Sequence, residues 1–173
     1  MPGPYSVRVT VPGVKAPMTR TVMVEADPLP KFLVADRAAR QTVLMAIYDW
    51  TKVLGEARLA ARALSAQRDS IKADLPSGGT QVDSLNARIG RAAAAIDRAF
   101  IAVNGQRGPI EGWSGQPTLD QRKAVGYAID DARKAINDLN KLVTTDIPAA
   151  YGGAGAWKRK VAPVRLPARN ANP

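Results

Sequence analysis

The 173-residue chain predicts a mainly α fold, a three-helix up-down-up antiparallel bundle with an overlong first helix, preceded by a β hairpin. Three observations carry that prediction. Leu44, Ile47, Trp50, Leu54, Ala57, Ala61, Leu64, Ile71 and Leu75 recur at helical spacing, with Arg68 the one polar interruption, so they form a single apolar stripe. Val82, Leu85, Ile89, Ala92, Ile96, Phe100 and Val103 make a second stripe, and Val125, Ile129, Ala132, Ile136, Leu139 and Val143 a third. Stripes of this kind are buried by facing one another. The opening instead alternates apolar and polar residues with the period of two that marks a half-buried strand.

That strand is Tyr5, Val7, Val9 and Val11 alternating with Ser6, Arg8 and Thr10. Pro12-Gly13 and Pro17 mark a turn, and Thr19 to Glu25 is a second β-favouring run. A two-stranded hairpin is marginal alone in water, so residues 1–28 are expected to pack on a helix, pair with another chain, or complete a sandwich. Asp27-Pro28-Leu29-Pro30 ends the β region, because proline supplies no ladder donor. Residues 29–148 hold the three helices. The first is expected from about Asp36 to Asp74, stopped by Pro76-Ser77-Gly78-Gly79. The second starts at Thr80-Gln81-Val82-Asp83, a variant capping box, and stops at Asn104-Gly105, where glycine suits a left-handed cap. The third starts at the capping box Thr118-Leu119-Asp120-Gln121 and reaches about Thr145. Residues 149–173 are Pro/Ala/Gly-rich and basic, and are expected to be disordered.

Helix lengths expose a mismatch. At 1.5 Å per residue the first helix spans roughly 58 Å, against roughly 37 and 40 Å for the others. Its N-terminal part, with Leu44, Tyr48 and Trp50, is therefore left to be covered by the 105–117 loop through Ile110 and Trp113, by the hairpin, or by another protein. The candidate docking residues are accordingly Tyr5, Val7 and Val9 on the strand, and Leu44, Tyr48, Trp50 and Trp113 at the overhang.

Composition removes most chemistry. Cysteine and histidine are both absent, so there is no thiolate nucleophile, no Cys/His metal site and no imidazole base. Asp130 and Asp131 are helix neighbours, and Asp138 lies roughly 12 Å of rise further on, so they do not make a carboxylate pair for glycoside hydrolysis. Gly78-Gly79 and Gly152-Gly153-Ala154-Gly155 lack the strand-to-helix setting of a phosphate cradle. No catalytic residue, metal or cofactor is expected. No run of 18 apolar residues occurs, and the N-terminus lacks the pattern of a signal peptide. Net charge is +10, and half of that excess sits on Lys158, Arg159, Lys160, Arg165 and Arg169 of the tail, where no acidic residue occurs. With Trp157 beside them, these residues allow an alternative function, binding of nucleic acid or an anionic surface by phosphate attraction and ring stacking.

The order of parts also resembles the C-terminal region of bacterial sortilin-like β-propeller proteins, large exported proteins often labelled glycosyl hydrolases or Asp-box repeat proteins. The resemblance rests on Gly3-Pro4-Tyr5-Ser6-Val7-Arg8-Val9-Thr10-Val11, on Val22-Met23-Val24-Glu25-Ala26-Asp27-Pro28, on the long helical hairpin and on Thr145-Asp146-Ile147-Pro148-Ala149. It covers the organisation of about residues 3–150. It implies an extracytoplasmic, non-catalytic structural or interaction module, placed after the end of a β-sandwich and cut from a longer protein. Its partner would be that parent or a second copy of the chain. The propeller has no counterpart here, so none of its ligand-binding residues carries over.

Overall fold

The computed structural model describes residues 2–25, 32–153 and 155–167. It is mainly helical, with an N-terminal antiparallel hairpin. Strands β1 (Gly3–Val9) and β2 (Met18–Val24) pair in a register that sets Tyr5 opposite Val22, Val7 opposite Arg20 and Val9 opposite Met18. The Asp27-Pro28-Leu29-Pro30 break lies outside the described residues.

The first long helix is not continuous. Helix α1 (Val34–Ser65) ends at Ala66-Gln67, and α2 (Arg68–Asp74) resumes after one irregular step. Arg68 explains the position of the break. A continuous helix would bury its guanidinium on the apolar stripe, whereas the break leaves Arg68 exposed while Ile71 is still fully buried. The Arg68 carbonyl accepts a hydrogen bond from Asn86 Nδ2 at 3.2 Å, which ties the start of α2 to α3.

A 3₁₀ turn (Pro76–Gly78) leads into α3 (Gly79–Gly105). The expected cap at Thr80 is not used. The N-cap position falls two residues earlier, at Gly78, without a side-chain cap, and Asp83 pairs with Lys72 of α2 at 3.1 Å. Gly105 does not adopt the left-handed cap either, because the chain bends through Gln106 into a short helix, α4 (Arg107–Glu111). At the next helix the capping box forms. Thr118 N–H donates to Gln121 Oε1 at 2.8 Å, Gln121 N–H donates to Thr118 Oγ1 at 3.1 Å, and α5 runs from Leu119 to Lys141. A π-helical turn (Leu142–Asp146) and a last short helix, α6 (Ile147–Ala150), follow.

Helix α1 packs against both α3 and α5, and α3 against α5. Cross-helix partners run in opposite directions, with Arg58 bonded to Asp97 at 2.7 Å and Lys72 to Asp83. The three stripes meet in one core in which Ile47, Trp50, Leu54, Leu64, Ile71, Ile89, Ile96, Ile129, Ile136 and Leu139 are fully buried. Each such side chain contributes about 1.5–3 kcal/mol of burial. Leu44, Leu75 and Phe100, at the margins, are only partly buried, and the Arg58 guanidinium lies 4.5 Å from the centroid of the Phe100 ring.

Candidate interaction surfaces

Two extended segments and one helix end hold the residues singled out by sequence. In the hairpin, cross-strand partners share a face, so Tyr5, Val7, Val9, Met18, Val22 and Val24 lie together with Arg20. Every large apolar residue of this set is exposed, between 43% and 62%. The opposite face holds Pro4, Ser6, Arg8, Thr19, Thr21 and Met23. Among the described residues the sheet has two strands, so no described strand pairs with either outer edge. The strand alternation thus forms, but the body of the protein does not bury its apolar face.

The overhang is a different case. Helix α4 folds back over the N-terminal part of α1, where Ile110 is buried, Arg40 Nε donates to the Ile110 carbonyl at 3.0 Å and Arg40 Nη2 to the Glu111 carbonyl at 2.7 Å. Those bonds satisfy carbonyls at the end of a five-residue helix. Trp50 is 2% exposed, with the Arg133 guanidinium 5.4 Å from its ring, and Leu44 is packed against the core. The expectation that Trp50 serves docking is therefore corrected, because its ring is buried in the helical core, whereas Leu44 is partly buried and lines a surface groove with Tyr48, Arg107 and Glu111. Tyr48 stays exposed on the outer side of α1. Trp113 is half exposed, stacked edge-on against Phe32 at 5.9 Å between centroids and bonded through Nε1 to the Gln116 carbonyl at 3.2 Å. It closes a loop.

The basic segment departs furthest from expectation. Residues 155–167 lie along the helical body, where Trp157 is 2% exposed and Val164 is buried. The disordered tail is corrected over this range, and so is Trp157 as a ring for stacking on bases, since the indole is already packed in the core. Lys158, Arg159, Lys160 and Arg165 are exposed, and Arg169 lies outside the described residues. Gln67, Asp74 and Asn140, which hold the segment, carried no signal in the sequence, because an Asn or Gln near a helix stripe reads as solvated surface.

Tyr151 shows how this segment is joined to the body. Its hydroxyl donates to Asp74 Oδ2 at 2.9 Å, and Arg159 Nη1 donates to the same oxygen at 3.2 Å. Burial, followed by the hydrogen bond and charge of Asp74, pushes the Tyr151 phenol up to about 12.

An open groove of about 850 Å³ lies at the turn between α2 and α3, lined by Asp74, Pro76, Gln81, Arg88, Asp146 and Ala149 among others. Two of its charges, Arg88 and Asp146, are paired with each other. Among the described residues, no group of three or more Asp, Glu, His or Cys side chains is placed to hold a metal ion, and no helix is long and apolar enough to cross a membrane. Comparison with family models, curated proteins and solved structures gave no match to this chain.

Proposed function

We propose that this chain is a non-catalytic structural or protein-interaction module. Its three long helices make an up-down-up antiparallel bundle, and its hairpin is the docking element. The partner is a protein that supplies a β-sheet, either a sandwich of a longer parent or a second copy of the chain. The resemblance to the region that follows the propeller in exported sortilin-like proteins supports this reading and an extracytoplasmic setting.

The observation that carries it is the apolar hairpin face of Tyr5, Val7, Val9, Val22 and Val24, none of it buried although both strands are formed. A two-stranded sheet with a wet apolar face is marginal, and adding a strand or a second sheet satisfies both the face and an edge. Light scattering on the purified chain, at moderate and high salt, tests the reading with a second copy as partner. The expected result is association that persists at high salt and is abolished by Val7→Asp with Val22→Asp, with helical content unchanged. A monomer whose hairpin amides are as protected as those of α3 would contradict it.

A further inference from the structure

Residues 156–167 contain neither helix nor strand, yet they are held at specific points. Trp157 is the first anchor. Its ring is buried, and Nε1 donates to Gln67 Oε1 at 3.3 Å, at the break between α1 and α2. Seven residues on, Asn140 of α5 grips the backbone of Val164 at both of its polar groups. Val164 N–H donates to Asn140 Oδ1 at 2.8 Å, and Asn140 Nδ2 donates to the Val164 carbonyl at 2.9 Å. A carboxamide that satisfies the N–H and C=O of one residue acts as a neighbouring strand would. It selects extended backbone, and the side-chain pocket supplies the identity.

Charge follows the same pattern. Asp74 accepts from Arg159, while Arg165 lies in one groove with Glu56, Ala60 and Ala63 of α1. Asp74 thus accepts from an arginine toward one end of the seat, and Glu56 lines the groove that holds the other arginine. The π-helical turn begins two residues after Asn140, and the Thr144 hydroxyl donates to the Asn140 carbonyl at 2.8 Å. Such turns are rare and concentrate at functional sites. Upstream, Gly152 and Gly153 at φ +78° and +142° adopt backbone that other residues rarely enter, and they lie between α6 and residues 156–167, the strap.

We propose that the groove between α1 and α5 is a binding site for an extended basic peptide, and that residues 156–167 are its resident, releasable ligand. The recognised pattern is a Trp, an Arg two residues later, and an apolar residue followed by Arg seven and eight residues after the Trp. Gln67 and the core receive the Trp, Asp74 the first Arg, and Asn140 the backbone of the apolar residue. Release would uncover this seat and free a segment whose charged side chains are all basic.

The test uses the full chain with a protease site inserted between Gly152 and Gly153, cut after folding. At high concentration the severed strap is expected to co-elute with the body, and on dilution to leave it with helical circular dichroism preserved. A labelled synthetic peptide of residues 155–167 then rebinds saturably at one per chain. Trp157→Ala in that peptide weakens binding by about 100-fold, and Asn140→Ala in the body by about tenfold. Loss of helix when the strap departs would make the segment an integral part of the fold and overturn the proposal. So would failure of the peptide to rebind, or equal binding of the peptide carrying Trp157→Ala.

Discussion

The hairpin and the strap are both short extended segments at the edges of a helical body, and they reverse the usual relation between regularity and burial. The hairpin has full strand pairing and no buried residue. The strap has no strand pairing, yet it buries a tryptophan and a valine. Strand pairing requires only that backbone donors meet acceptors, and a period-two sequence ensures that locally. Burial requires a seat of the right shape elsewhere in the fold, which the break between α1 and α2 provides for Trp157 and the helices do not provide for Val7. A segment can therefore be ordered and available for docking, or irregular and already docked.

Substitutions along the two segments sharpen this difference. Trp157→Ala is expected to cost the most, about 3 kcal/mol, seen as a fall of roughly 6–12 °C in the thermal midpoint. Asn140→Ala removes both bonds to Val164 and is expected to cost about 1–2 kcal/mol in chemical denaturation. Thr118→Ala, which deletes the capping box of α5, should cost about 1 kcal/mol and serves as a reference within the body. Val7→Ala on the hairpin should stay within about 0.5 kcal/mol, because the side chain it shortens is not buried. A loss comparable with that at Trp157 would mean that the hairpin face is covered.

A subtler effect is spectroscopic. Tyr151 should ionise near pH 12, as followed by phenolate absorbance. Its pKa is raised on folding, so its contribution to stability is complete below pH 10 and is lost as pH rises through about 12. Asp74→Asn removes the acceptor charge and should bring that titration down, though not fully, because burial is the larger cause.

The apolar stripes were legible because helical spacing leaves a long, redundant signal. Ile47, Leu54, Ile89, Ile96, Ile129 and Ile136 all reach the core from it. The break at Ala66-Gln67 was half legible, since Arg68 marks the defect but not the remedy. Helix α4 was hidden in a five-residue stretch containing Gly108 and Pro109, too short for periodicity to register. The seat of the strap was not legible at all. Trp157 stands in a segment of low complexity, and its partners Gln67 and Asn140 are remote in sequence and ordinary in type. Pairings of that kind are fixed by tertiary geometry, which no local pattern encodes.

The most direct test of the contrast is amide hydrogen exchange on the intact chain, read residue by residue at neutral pH. The account predicts that, in chain diluted until it is monomeric, the paired amides of β1 and β2 exchange within seconds, while the Val164 amide, bonded to Asn140, is protected by at least about a hundredfold. Hairpin amides as slow as those of α3, together with an unprotected Val164, would contradict it.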